Sequence, residues 1–230
     1  MFLPLLIFAN PRIWLIIMAV IPAIMLMRYV YRSDRLDRES PKLLFSLVLM
    51  GIISTLIAYV IERVTDGFGS MAVQCLIIGL AEEGAKYLVL RYRTWREPEF
   101  NCQYDGVVYA VFVSLGFALW ENISYVLSYG ISTALLRAVT AVPGHACFGV
   151  FMGVWYGLAK RFDLAGDLKS RKTCLALCVI LPALIHALYD YIAMTDVTEW
   201  VFIVFIAALF YVAFQIIKKA SARDYVFYRR

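Results

Sequence analysis

Ala81-Glu82-Glu83-Gly84-Ala85-Lys86 sets three ionisable side chains within five residues of an apolar run. Met71 to Leu80 precedes them and Tyr87 to Leu90 follows, so the segment has the roughly 20 residues that cross a bilayer. Each charge near mid-membrane costs about 2.5–3.5 kcal/mol even on the mildest insertion scale, and residues kept at that cost face a protein interior. On a helix at about 100° per residue, Lys86 falls about 40° from Glu82 and about 60° from Glu83, on the arc between them. One lysine can therefore partner either carboxylate. Such a triad either locks helix packing or does chemistry.

The rest of the chain makes the membrane reading general. Hydrophobic residues are 63% of the 230 and charged residues 17%, with a mean hydropathy of +0.75, well above a soluble domain. This implies an all-α, polytopic helical bundle in the lipid bilayer, with residues 1–230 forming a single integral-membrane domain. About seven spans are predicted: Ile13–Tyr31 with Pro22 inside it, Leu43–Ile61, Phe68–Leu90, a fourth opened by Tyr104-Asp105-Gly106 and ending near Val126, Leu135–Leu158, Thr173–Met194 and Trp200–Ile217. Met1 to Asn10 lacks a basic flank and a small-residue cleavage pattern, which argues against a cleaved signal peptide. The five cysteines form no CxxC pair, and Cys174 and Cys178 read as small packing residues.

The net charge of +5 does not point to nucleic acid, because the basic residues are sorted by side. Residues 28–42, 91–96, 160–172 and the tail from Lys218 hold 18 of the 22 lysines and arginines. Arg12, Arg63 and Arg137 lie at the opposite ends. By the excess of basic residues in cytoplasmic loops, the N-terminus is expected outside and the C-terminus in the cytoplasm.

Further polar side chains sit within the predicted spans. Glu121 is a third carboxylate, in Phe117-Ala-Leu-Trp-Glu121-Asn122. Asn122-Ile123-Ser124 matches a glycosylation sequon but falls inside a span, which removes its meaning. His145 follows the helix-perturbing pair Pro143-Gly144, and His186 shares a helix face with Asp190. These are the chain's only two histidines, and both are intramembrane. Gly149, Gly153 and Gly157 recur every four residues, a smooth face for close helix contact. Helices three to six could thus aim Glu82, Glu83, Lys86, Glu121, His145, His186 and Asp190 into one polar cavity. Glutamate and imidazole activate water for attack on a carbonyl, and no HExxH, GxSxG or P-loop offers another chemistry.

These motifs resemble those of the PrsW family of intramembrane proteases. Glu82-Glu83-Gly-Ala-Lys86 resembles its EExxK, Phe117 to Asn122 its FxxxE followed by Asn, His145 its third motif and His186-Ala-Leu-Tyr-Asp190 its HxxxD. Asp105-Gly106 and the acidic, basic and proline-containing stretch after the first span are also similar. The resemblance places the chain in a larger group with the type II CAAX prenyl proteases and the non-proteolytic scaffold subunit of gamma-secretase. It implies an intramembrane endopeptidase of a bacterial or archaeal cell membrane. The implied partner is a single-pass membrane protein, such as an anti-sigma factor, cut near its extracytoplasmic side.

On this reading Glu82 or Glu83 is the general base, His145 helps hold the water, and His186 with Asp190 orients the carbonyl or stabilises its oxyanion. Two alternatives belong to other classes. A proton-coupled carrier also uses buried Glu/His/Lys chains, but carriers often show repeated halves, and no repeat is visible. A catalytically silent scaffold would use the cluster for packing alone. Metal stays open: Glu121, His145 and His186 could bind Zn²⁺ with a fourth position for water, whereas a pure glutamate mechanism needs no ion.

Overall fold

Long apolar runs bounded by polar capping residues become helices here. The computed structural model describes residues 11–195 and 198–227, so the N-terminal stretch Met1–Asn10 lies outside the described residues. In order the helices are α1 (Pro11–Ser33), α2 (Pro41–Thr65), α3 (Met71–Thr94), α4 (Asp105–Tyr129), α5 (Ile131–Val139), α6 (Ala141–Leu164), α7 (Leu168–Met194) and α8 (Glu199–Ala222). Local chemistry sets their starts. Ser40 caps α2, its Oγ accepting from the Leu43 amide, and Pro41 occupies the first turn, where its missing N–H costs nothing. Asp167 caps α7 by accepting from the Ser170 amide. The single β-type pairing among the described residues joins Cys102 to Val226 and pins the C-terminal tail against the loop before α4.

Apart from the short α5, each helix has 23–27 residues, which at about 1.5 Å per residue exceeds the ~30 Å hydrocarbon core. Five helical stretches combine that length with apolar composition: α2, α4, α5 with α6, α7 and α8. α3 is as long, but every 18-residue window of it holds Glu82, Glu83 and Lys86. The helix that carries the charges is thus masked by them as an apolar stretch.

α4 is the axis. Every residue from 104 to 118 is buried, and α6, α2 and α1 pack around it. α3 lies on α7 and α2, so that α3, α4, α6 and α7 converge. Asn122 near the end of α4 donates from Nδ2 to the Ala19 carbonyl of α1, 2.9 Å away.

One boundary differs from the sequence expectation. The fifth predicted span, Leu135–Leu158, is not one helix: the chain breaks at Thr140 (φ −119°, ψ −73°) between α5 and α6. Gly130, at φ 85°, makes the turn that begins α5. The expected disturbance was at Pro143-Gly144, but Pro143 lies in the first turn of α6, where no intrahelical hydrogen bond is lost.

Candidate active site

Helical spacing on α3 does what the sequence suggested: Glu82, Glu83 and Lys86 meet. Lys86 Nζ lies 3.2 Å from Glu82 Oε2 and 2.7 Å from Glu83 Oε1. Its third donor reaches across to α6, 3.1 Å from His145 Nδ1. An ammonium only donates, so His145 Nδ1 accepts, and the proton of the neutral ring is on Nε2. That nitrogen donates to Glu121 Oε2 at 2.8 Å. Below the ammonium, 4.0 Å from its ring centre, lies Phe117. A continuous polar chain therefore runs from α3 through α6 to α4.

α7 closes the other side. His186 Nδ1 donates to Glu83 Oε1 at 3.0 Å, and its Nε2 faces Asp190 Oδ2 at 3.7 Å. Phe148 stacks on the His186 ring at 4.5 Å, and the two imidazoles meet edge to face at 5.3 Å. Glu82, Glu121, His145, His186 and Asp190 line one cavity of about 690 Å³. Glu83 and Lys86 do not line it and have no exposed surface. The carboxylates that look equivalent in sequence are thus placed differently: Glu82 faces the cavity, and Glu83 is sealed behind it.

Two cavity residues escaped the sequence reading. Arg137 of α5 sets Nη2 2.9 Å from Glu121 Oε2, stacks its guanidinium 4.1 Å from the Tyr125 ring centre and donates from Nε to Asn122 Oδ1. Glu62, at the end of α2, also lines the wall. Arg137 had a signal, as one of the few basic residues away from the cytoplasmic set; Glu62 was indistinguishable from an ordinary helix-end charge.

The donor set can be tested against a metal. Ligand atoms of Glu82, Glu83, His145 and His186 all lie within 4.8 Å of one another, and Glu121 is not in that set. The Glu121, His145, His186 grouping is therefore not the one whose donors converge. The centre of the converging set is also taken, because Lys86 Nζ is within 3.2 Å of three of its members. A zinc ion about 2.0–2.2 Å from the same donors would share its place with an ammonium. Both His145 nitrogens are already committed. As arranged, these residues do not fit a dication.

The model of the PrsW family, described as intramembrane metalloproteases, matches residues 39–217. The chain belongs to this family. Among curated relatives, Protease PrsW of Bacillus subtilis (strain 168) is 34% identical over 209 residues, covering 89% of this chain and 94% of its own length. Protease PrsW of Oceanobacillus iheyensis is 35% identical over 177 residues, covering 75% and 80%. That of Clostridioides difficile (strain 630) is 31% identical, with 84% of each chain covered. No solved structure matches. Family and fold together make this a protease of a bacterial membrane, and the matched region contains all seven residues of the polar cluster.

Proposed function

We propose that the chain hydrolyses a peptide bond of a single-pass membrane protein, an anti-sigma factor being the implied class, with water activated by Glu82. The observation that carries this is the asymmetry of the pair: Glu82 lines the cavity, while Glu83 is fully buried and binds Lys86 and His186. Glu82 takes a proton from water as its oxygen attacks the carbonyl carbon. It returns that proton to the amide nitrogen as the C–N bond breaks. His186 lines the cavity with Nδ1–H held by Glu83 and Nε2 3.7 Å from Asp190; as an imidazolium, its Nε2–H can turn from Asp190 to the developing oxyanion. His145 has both nitrogens engaged, so it holds Lys86 and Glu121 in register and does not itself hold the water.

In this mechanism Lys86 supplies the fixed positive charge that a metal would bring. The test is cleavage of a single-pass substrate by purified protein after exhaustive chelation, with metal analysis of the same sample. Undiminished cleavage is expected. Activity lost with stoichiometric zinc and restored by its return would overturn the assignment.

The topology that fits is seven spans, α1 to α4 and α6 to α8, with the N-terminus outside. The cavity is lined by the end of α2, the beginnings of α6 and α8 and the end of α7, the face opposite the basic loops. That face is the extracytoplasmic one in this reading. A reporter at the C-terminus is expected to be protected from an impermeant reagent in intact cells, and a tag beside Gly130 to be labelled. The reverse pattern would invert the orientation and move the site to the other leaflet.

A further inference from the structure

At the far end of the bundle from the cavity lies a second buried acidic group. Asp34 and Glu39 come from the loop between α1 and α2, and Asp105 is the first residue of α4. Relative exposures are 1%, 3% and 0%, yet one oxygen of each lies within 4.8 Å of the others. No ion pair among the described residues reaches any of them. Like charges this close cannot all stay ionised without a counter-charge.

Protons alone do not resolve the group. A protonated carboxyl has an O–H that needs an acceptor when buried. Neither oxygen of Asp34, neither of Glu39, nor Oδ1 of Asp105 has any hydrogen-bond partner among the described residues. Outside the acidic set, the fully buried Tyr109 hydroxyl lies beside the Glu39 carboxyl. Asp224 Oδ2 is a further buried orphan, while its Oδ1 accepts from the Tyr104 amide at 2.9 Å. The unpartnered oxygens of Asp34, Glu39 and Asp105 are acceptors facing one another without a donor, a need that a central cation would meet.

We infer that Asp34, Glu39 and Asp105 form a structural site for a hard divalent cation, Mg²⁺ or Ca²⁺. The donors are all oxygen, which these ions prefer over the softer transition metals. Carboxylate oxygens about 2.1 Å from Mg²⁺ or 2.3–2.6 Å from Ca²⁺ stand roughly 3–4.5 Å apart around one ion, and one oxygen of each of the three residues lies within 4.8 Å of the other two, close enough to converge on it. Asp105 Oδ2 already accepts from the Asn101 and Cys102 amides, at 2.9 and 2.6 Å, leaving Oδ1 for the ion. The cation would tie the α1–α2 loop to the start of α4, where Asp224 anchors the tail.

Full-length protein in detergent, stripped by chelation, would be titrated with Mg²⁺, Ca²⁺ and Mn²⁺ to about 10 mM, beyond the roughly 10⁻³ M of weak protein calcium sites. Tm would be followed throughout, with Mn²⁺ binding read by its resonance signal. Wild type is expected to bind one ion saturably and to gain Tm. Asp34→Asn is the informative variant, because no protein group depends on its oxygens. It should fold, lose the saturable binding and lose the shift, while Glu82→Gln keeps both. No saturable binding by wild type overturns the site, as does equal binding by Asp34→Asn or loss of binding in Glu82→Gln. A Tm for Asp34→Asn above wild type at every cation level would mean that the group shares protons instead.

Discussion

Glu82→Gln should reduce cleavage by about 10²–10⁴-fold or more, the usual worth of a positioned general base, while leaving a folded, monodisperse protein. Gln keeps the volume of Glu and an oxygen that can still accept from Lys86, 3.2 Å away in the native pair. What it cannot do is take a proton from water. Glu83→Gln is expected to behave differently. Glu83 Oε1 receives both Lys86 at 2.7 Å and His186 at 3.0 Å in a place without solvent. Glu83→Gln removes the fully buried carboxylate that two donors, Lys86 and His186, share, and a buried pair that loses one partner outright costs about 3–5 kcal/mol. That variant should show a markedly lower Tm or poor yield in addition to lost activity. Thermal unfolding in detergent, run beside cleavage of one defined substrate, separates the two. Normal turnover by Glu82→Gln would sink the general-base assignment, and a stable but inactive Glu83→Gln would exchange the two roles.

This difference between neighbours shows where sequence reading stops. Charges in apolar sequence are conspicuous, so Glu82, Glu83, Lys86, Glu121, His145, His186 and Asp190 all stood out before any fold was known, and the structure gathers them around one cavity and the buried wall behind it. Adjacent helical residues differ by about 100°, however, and only the packing of α7 on α3 decides which of the pair is sealed. Arg137 was legible as a charge but not as the partner of Glu121, since that contact crosses from α5 to α4. The break at Thr140 had no glycine or proline to announce it; the proline that drew attention stands three residues later, inside the first turn of α6. Asp34, Glu39 and Asp105 looked like ordinary loop and cap charges because their convergence spans some 70 residues of chain.

The spacing of Gly149, Gly153 and Gly157 was legible, and it carries the second large effect. α6 lies on α4 nearly backbone to backbone: a Cβ on Gly153 would be 2.4 Å from Val107 Cα and 2.5 Å from the Gly106 carbonyl oxygen. From the other side, a Cβ on Gly106 would be 2.5 Å from the Gly157 nitrogen. The obstructing atoms are main chain and cannot rotate away, so any side chain must push the two helices apart. Overpacking of this kind costs about 1–3 kcal/mol for a small addition, and a Leu should prevent folding. The separation also acts on chemistry, because α4 carries Glu121 and α6 carries His145, which meet at 2.8 Å. Gly153→Ala is therefore expected to lower Tm and activity together, and Gly153→Leu to give no folded protein. Gly84→Ala is the control: it too lies within a helix, and a Cβ there meets nothing within 4 Å. With no clash to offset it, the better helix propensity of alanine, worth up to about 1 kcal/mol, should hold or raise Tm. Opposite signs for the two Gly→Ala changes would fix the α4–α6 contact as the tight one. Equal Tm values would mean that the helices have room to spare at that point.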